Sequence, residues 1–228
     1  MFELRDYQKK LSNEVRNKLK DNKICILNAE VRTGKTHVAL SVASKYENVL
    51  FVTKKKAISS IEDDYKTAKH KFNITIINYE SLHKVQGVFD LVICDESHSI
   101  SAYPKPSKRT KAVKLLVSND LLLLTGTLLP ESNAQIFHQL WVSPYSPYKV
   151  HKNFYQWHKV FGTPKTVFTS YGEAKDYSVV DYDKIKTIVD SIKVSFTQEE
   201  AGFTSTVKEH IINIDMLPST YKLIDKLK

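Results

Sequence analysis

Residues Ala29 to Thr36 read AEVRTGKT and lie between a short apolar run, KICILN, and a stretch with apolar residues at helical spacing, HVALSVASKY. A strand that turns through a loop directly into a helix aims main-chain N–H groups at one spot, and the helix N-terminus makes that spot attractive to anions. The spacing is that of a phosphate-binding loop, with Ala29 where the pattern has its first glycine, then Gly34, Lys35 and Thr36. Gly34, lacking a Cβ, lets the main chain approach a ligand closely. Lys35 can neutralise β and γ phosphate oxygens, and the Thr36 hydroxyl can ligate Mg²⁺. These residues imply one wall of a nucleoside triphosphate site.

A second segment supplies the acidic partners of that site. FDLVICDE ends in Asp95 and Glu96 and continues to His98. Its unbroken apolar run reads as a buried parallel strand, and the carboxylates fall at its C-terminal end, the edge where open α/β sheets bind ligands. There Asp95 would hold a metal ion and Glu96 would polarise an attacking water. Alone, an Asp-Glu pair is most often a solvated strand end. In this order, each after its own strand, the two segments support one another.

The rest of the chain repeats the same rhythm. Asp6 to Lys20 places Tyr7, Leu11, Val15 and Leu19 on one helical stripe. Then come KICILN, the helix after the loop, NVLFVT, a helix from Ala57 to Lys69, NITIINY, DLVICDE, a helix near Thr110 to Val117, and DLLLLTGT. Alternation of this kind predicts a parallel sheet with helices on both faces. After Pro130 the pattern changes: SNAQIFHQLW reads as a helix, and two prolines and two tyrosines between Ser143 and Tyr148 take the chain off the sheet. The expected organisation is a core over 1–142, an accessory helical insertion over 143–190, and a return to the core over 191–228, with IKVSF and TVKEHIINIDM as strands and LPSTYKLIDKLK starting a helix.

Composition narrows the class further. A formal charge of +9 over 228 residues makes a polyanionic partner plausible, although lysine-rich chains also simply solvate their surfaces. Hydrophobic residues at 42% and charged residues at 26% argue against extensive disorder. Both cysteines, Cys25 and Cys94, fall in expected buried strands and read as small core residues of a reducing compartment, not as a zinc site. Charges occupy the N-terminus where a signal peptide is apolar, and the greasy stretch near Leu121 to Leu129 is too short to span a bilayer. The expectation is a soluble cytoplasmic protein, with no membrane partner, in a cell that includes the phage-infected host.

With these segments in order, the chain resembles the first RecA-like motor domain of superfamily 2 helicases and translocases, most closely the SNF-type branch and its phage-like relatives. The resemblance rests on LRDYQ (Leu4 to Gln8), AEVRTGKT, VTKK (Val52 to Lys55), INYESL (Ile77 to Leu82), DESH (Asp95 to His98) and LLTGTLLP (Leu123 to Pro130). It implies a RecA-like P-loop NTPase fold using ATP and Mg²⁺. It implies nucleotide contacts from Arg5, Tyr7 and Gln8 and from Ala29, Arg32, Thr33, Gly34, Lys35, Thr36 and His37, with Lys35, Asp95 and Glu96 catalytic and Thr36 and Asp95 on the metal. Gln8 would read adenine, since an amide both donates and accepts; from the helix alone, Gln8 is an exposed polar residue.

His98, Thr125 and Thr127 would couple hydrolysis to movement, and Lys54, Lys55, Asn78, Tyr79, Lys108 and Arg109 would line a nucleic-acid path, expected to be duplex DNA. The basic and aromatic stretch from Lys149 to Lys165 is a further nucleic-acid candidate. Three departures stand out. Arg32 replaces a glycine of many relatives and is expected to project outward; Ser97 replaces the alanine of DEAH; and neither a second lobe nor its arginine finger is found, so the lobe is expected to bind nucleotide better than it hydrolyses it. The alternatives are a nucleotide-gated binding module without motor activity and, more remotely, a small-molecule kinase.

Overall fold

The computed structural model describes residues 3–117, 119–170 and 172–203. The chain opens with α1 (Asp6–Asn22), which buries Leu11, Val15 and Leu19 at four-residue spacing and ends where Lys23 turns into the left-handed region. β1 (Ile24–Ala29), α2 (Lys35–Ala43), β2 (Asn48–Thr53), α3 (Ile58–Thr67), β3 (Asn73–Asn78), β4 (Leu91–Cys94), α4 (Lys108–Leu116), β5 (Asp120–Thr125) and α5 (Ile136–Trp141) follow. After them come α6 (Phe154–Phe161), β6 (Lys165–Thr169), β7 (Gly172–Asp176), α7 (Tyr182–Ile192) and β8 (Lys193–Phe196).

Among the described residues, six strands form a wholly parallel sheet in the order β3-β2-β4-β5-β1-β8. The apolar runs explain the interior. LVIC and DLLLLT are buried at every position, as strands covered on both faces must be. β3 lies at an edge and is only partly covered, which is why NITIIN alternates in exposure. Because side chains alternate along a strand, β1 sends Cys25, Leu27 and Ala29 to one face and Ile24 and Ile26 to the other. The first face is closed by α1, α2 and α3, the second by α4, α5, α6 and α7.

The segment 143–190 is built differently from the accessory helical insertion expected of it. It carries α6 and most of α7, but Tyr148, Phe154, Trp157, Val180, Ile185 and Val189 join the same buried cluster as Ile24 and Leu121. It also carries an antiparallel hairpin, β6 with β7, whose strands are almost wholly exposed. β8 realises the IKVSF strand and pairs with β1. The expected TVKEHIINIDM strand and the final helix lie outside the described residues. Among the described residues, no helix is long and apolar enough to cross a membrane.

Candidate active site

The strand order places the ends of β1, β5 and β4 side by side, so the loop after β1 and the carboxylates after β4 flank the turn after β5. Gly34 begins α2 with φ of 80°, a conformation that suits glycine, and a Cβ there would fall 2.2 Å from Gln8 Nε2. Arg32 also takes a positive φ, 64°, and its side chain is exposed, as expected for a residue projecting from the loop.

Gln8 is buried, not the exposed residue its helix alone implied. Its Nε2 donates to the Thr33 carbonyl at 3.4 Å, and its Oε1 accepts from the Arg5 amide at 3.0 Å. Tyr7 donates its hydroxyl to the same Thr33 carbonyl at 3.3 Å and stacks on Phe196 with ring centroids 5.0 Å apart. Thr33 in turn donates to the Glu30 carbonyl at 2.7 Å. The LRDYQ segment thus braces the loop. From the far side, Gln198 donates through Nε2 to the Val31 carbonyl at 3.0 Å and through its amide to Glu30 Oε2 at 2.8 Å.

Lys35 Nζ donates to the carbonyls of Ala29 at 2.7 Å and Glu30 at 3.2 Å. Burial lowers its pKa, and the charges of Glu96 and Asp95 pull the other way, which brings all three groups into one electrostatic neighbourhood. Gly126, in the TGT turn, lies against that ammonium: a Cβ there would stand 3.7 Å from Lys35 Nζ. Thr36 and His37 are half-buried in the first turn of α2. His37 borders a cavity of about 170 Å³ shared with Leu4, Ser41, Ser44, Ala68 and His70.

Asp95 continues β4 by donating its amide to the Val52 carbonyl at 2.8 Å. Its Oδ2 accepts from the Thr53 hydroxyl at 2.7 Å, and its carbonyl accepts from Tyr79 Oη at 2.6 Å. Burial raises the Asp95 pKa, the Thr53 hydrogen bond opposes this, and the Glu96 charge adds to it. Glu96 turns the chain with φ 50° and ψ 55°, a left-handed conformation that non-glycine residues adopt rarely and that recurs at functional sites. Its Oε2 lies 3.4 Å from His98 Nδ1. Thr125 and Thr127 close the neighbouring turn on themselves: Thr125 Oγ1 donates to the Thr127 carbonyl at 2.8 Å and accepts from the Thr127 amide at 3.1 Å.

Thr36 and Asp95 offer hard oxygen donors of the kind Mg²⁺ takes. Among the described residues no group of three or more His, Cys, Asp or Glu gathers into a metal cage. Mg²⁺ is usually bound by one or two carboxylates together with substrate phosphates and water.

The residues assigned to a nucleic-acid path separate. Lys54 and Lys55 are exposed just past β2, and Lys108 and Arg109 are exposed at the start of α4. Arg109 pairs with Glu80 at 2.6 Å, and Asn78 caps the turn after β3 by accepting from the Ser81 amide at 2.8 Å. Tyr79 must be removed from that set. It is 3% exposed and spends its hydroxyl on Asp95, so its ring has no surface to offer a strand. Within the Lys149 to Lys165 stretch, Phe154, Trp157 and His158 are buried and cannot stack on bases, whereas Tyr155, Lys149, Lys152 and Lys159 are exposed. Thr53 and Gln139, a partner of Ser97, were missed, because nothing local in the sequence marks which distant side chain meets the carboxylate turn.

A family model described as the res subunit of type III restriction enzymes matches residues 1–67. No curated protein matches the chain significantly. Among solved structures, the Sulfolobus solfataricus SWI2/SNF2 ATPase core in complex with dsDNA is similar, at 19% identity and a TM-score of 0.66. That match covers 88% of this chain and 46% of the other. The SWI2/SNF2 ATPase core domain of the same organism aligns at 19% identity and a TM-score of 0.63, over 86% of this chain and 43% of that one. The chain therefore spans less than half the length of either structure. Its fold is the RecA-like α/β fold, a parallel sheet covered by helices, that it shares with these SWI2/SNF2 ATPase cores.

Proposed function

We propose that this chain is the first motor lobe of an ATP-dependent DNA translocase or helicase. It would bind Mg-ATP and hydrolyse it when a second RecA-like lobe and nucleic acid complete the site. The observation that carries this reading is the placement of Lys35 after β1 and of Asp95 and Glu96 after β4, on either side of the turn after β5, whose Gly126 lies against the Lys35 ammonium.

In this reading the amides of the 30–36 loop and the start of α2 cradle the phosphates, and Lys35 exchanges its bonds to the Ala29 and Glu30 carbonyls for phosphate oxygens. Thr36 and Asp95 hold Mg²⁺, with Thr53 fixing the Asp95 carboxylate. When bound, the metal neutralises charge developing on the phosphates. Glu96 orients water, and His98 beside it reports its position. These groups form one wall, so turnover depends on charge stabilisation from the other lobe. Duplex DNA is the preferred track, because one similar structure is an ATPase core in complex with dsDNA.

The test is titration of the purified chain with a fluorescent ATP analogue, with and without Mg²⁺. Saturable, Mg²⁺-dependent binding that Lys35→Ala weakens by at least about tenfold is expected. Binding indifferent to both Mg²⁺ and Lys35→Ala would sink the reading. Adding a second lobe, in cis or in trans, should then make ATP turnover respond to duplex DNA; nucleotide binding without turnover in any such mixture would favour a gated binding module.

A further inference from the structure

The departure at Ser97 has a partner. Ser97 and Gln139 are both fully buried, and the Ser97 hydroxyl donates to Gln139 Oε1 at 2.7 Å. Gln139 Nε2 donates to two carbonyls, Leu128 at 3.1 Å and Gln135 at 3.3 Å. Those carbonyls only accept, so they fix which end of the amide is nitrogen. The oxygen must then face Ser97, and Ser97 must be the donor. An alanine at this position would leave a buried amide oxygen without its partner.

Local geometry sets this up. Ser97–Ile100 is a 3₁₀ turn, in which successive side chains point about 120° apart. Glu96 and His98 remain partly exposed while Ser97, between them, is directed into α5. At the other end, Leu128 directly follows Thr127, and the loop beyond is held by a second glutamine one turn earlier. Gln135 Oε1 accepts from the amides of Glu131 at 3.1 Å and Ser132 at 3.4 Å. Carboxylate turn, Gln139 and the Thr127 to Ser132 loop thus form one connected chain of hydrogen bonds in the interior, where such bonds resist being broken singly.

We propose that Gln139 is a positioning residue that couples the Asp95 to His98 turn to the Thr127 to Ser132 loop. A shift of Glu96 and Ser97 on nucleotide binding or loss is passed through the Gln139 amide to Leu128. This rests on the nucleotide reading of the site. It adds that the signal leaves the site through the interior of the lobe, by residues that touch neither nucleotide nor metal.

The test is hydrogen exchange on the chain with and without Mg²⁺ and a non-hydrolysable ATP analogue, for the parent, Ser97→Ala, Gln139→Met and the double variant. In the parent, the analogue should slow exchange at 29–37, 95–101 and 127–132, the last by about five- to tenfold. In both single variants the slowing at 29–37 and the analogue affinity should persist, while the response at 127–132 is lost. The double variant should be no worse than either, since the residues act in series. Ser97→Ala only removes an atom, which keeps the test available if Gln139→Met folds poorly. A parental response at 127–132 in Ser97→Ala would overturn the coupling, as would a loss of response matched by an equal loss of affinity. A parent with no protection at 29–37 would instead refute the nucleotide reading itself, and the coupling with it.

Discussion

On one face of the sheet, α1, α2 and α3 bury small and aliphatic residues, Leu11, Val15, Val38, Leu40 and Ile61 among them. On the other, α5 and α6 bring in Phe137, Phe154 and Trp157, joined by Tyr148. The first face supports the proposed nucleotide site: α1 carries the Tyr7 and Gln8 braces, and α2 begins at the 29–36 loop. The second delivers bulk, and the loop after β5 hangs from it through Gln135 and Gln139. Lys35 and Asp95, the residues proposed to meet phosphate and metal, have pKa values that burial has moved toward their neutral forms. The aromatic side supplies apolar area. Stability and chemistry are therefore expected to separate when each side is damaged.

The largest expected effect is on the aromatic side. Trp157 is fully buried against Phe137, Tyr148, Phe154 and Phe161. Trp157→Ala should cost about 3–5 kcal/mol of unfolding free energy in a urea titration. A loss below about 1 kcal/mol would show that α6 is peripheral after all. Lys35→Ala should do the reverse. ATP turnover by the completed motor should drop about a hundred- to thousandfold, while the urea midpoint stays put or rises, because a desolvated ammonium is removed. If the two variants failed in the same assay, the division of labour between the faces would be wrong.

Much of this was legible along the chain, and what was not has physical reasons. Parallel strands covered on both faces appear as unbroken apolar runs, so KICILN, NVLFVT, DLVICDE and DLLLLT were readable as strands. The phosphate loop and the carboxylates were readable because their chemistry is local. Thr53 on Asp95, Tyr79 behind Asp95 and Gln139 on Ser97 are contacts across the sheet, which no spacing encodes. The stretch around α6 interleaves basic and aromatic residues, a pattern that arises whether rings point out, as Tyr155 does, or in, as Phe154 and Trp157 do. Its helical period held the answer: Phe154, Trp157, His158 and Phe161 recur at i, i+3, i+4 and i+7, one stripe of a helix. The β6 and β7 hairpin gave no signal, since strands exposed on both faces have no apolar alternation to read.

Acid should separate the two sides by sign. His138, on α5, donates Nδ1–H to the Ala102 carbonyl at 2.6 Å, and burial pushes its pKa down to about 4. Between the ordinary histidine value of 6.5 and about 4, the unfolded chain binds a proton that the folded chain refuses, so stability falls as pH drops through that window. The loss should be on the order of 2–3 kcal/mol, and His138→Gln should flatten it. Asp95 acts oppositely. Its raised pKa means the folded state holds the proton at pH values where the unfolded state has released it, so ionised Asp95 weakens the fold at neutral pH and the penalty vanishes in acid. Asp95→Asn should raise the melting temperature at pH 7 by about 2–4 °C, with the gain shrinking as pH falls, while Mg²⁺-dependent nucleotide binding collapses. Calorimetry across pH that found no such gain would mean Asp95 is better solvated than its surroundings imply.

The smallest expected effect on stability lies at the edge of the sheet, and it tests whether Glu80 and Arg109 belong to either side. The pair is close, 2.6 Å, but the Arg109 and Glu80 side chains are 49% and 57% exposed, so Arg109→Ala should change stability by less than about 1 kcal/mol. Its value is diagnostic. If the surface past β2 and β3 carries nucleic acid, Glu80 holds back part of the Arg109 charge, and the two partners should shift duplex affinity in opposite directions. Arg109→Ala should weaken binding and reduce the salt dependence by about one phosphate contact, whereas Glu80→Gln should tighten binding and steepen it. A structural ion pair predicts something else: both variants equally neutral in binding, because breaking either side removes the same bond. Affinities measured at two salt concentrations for the parent and both variants distinguish these cases. Equal behaviour of the two would leave Lys54, Lys55 and Lys108 as the candidates for that path, with Arg109 assigned to holding α4 against the turn after β3.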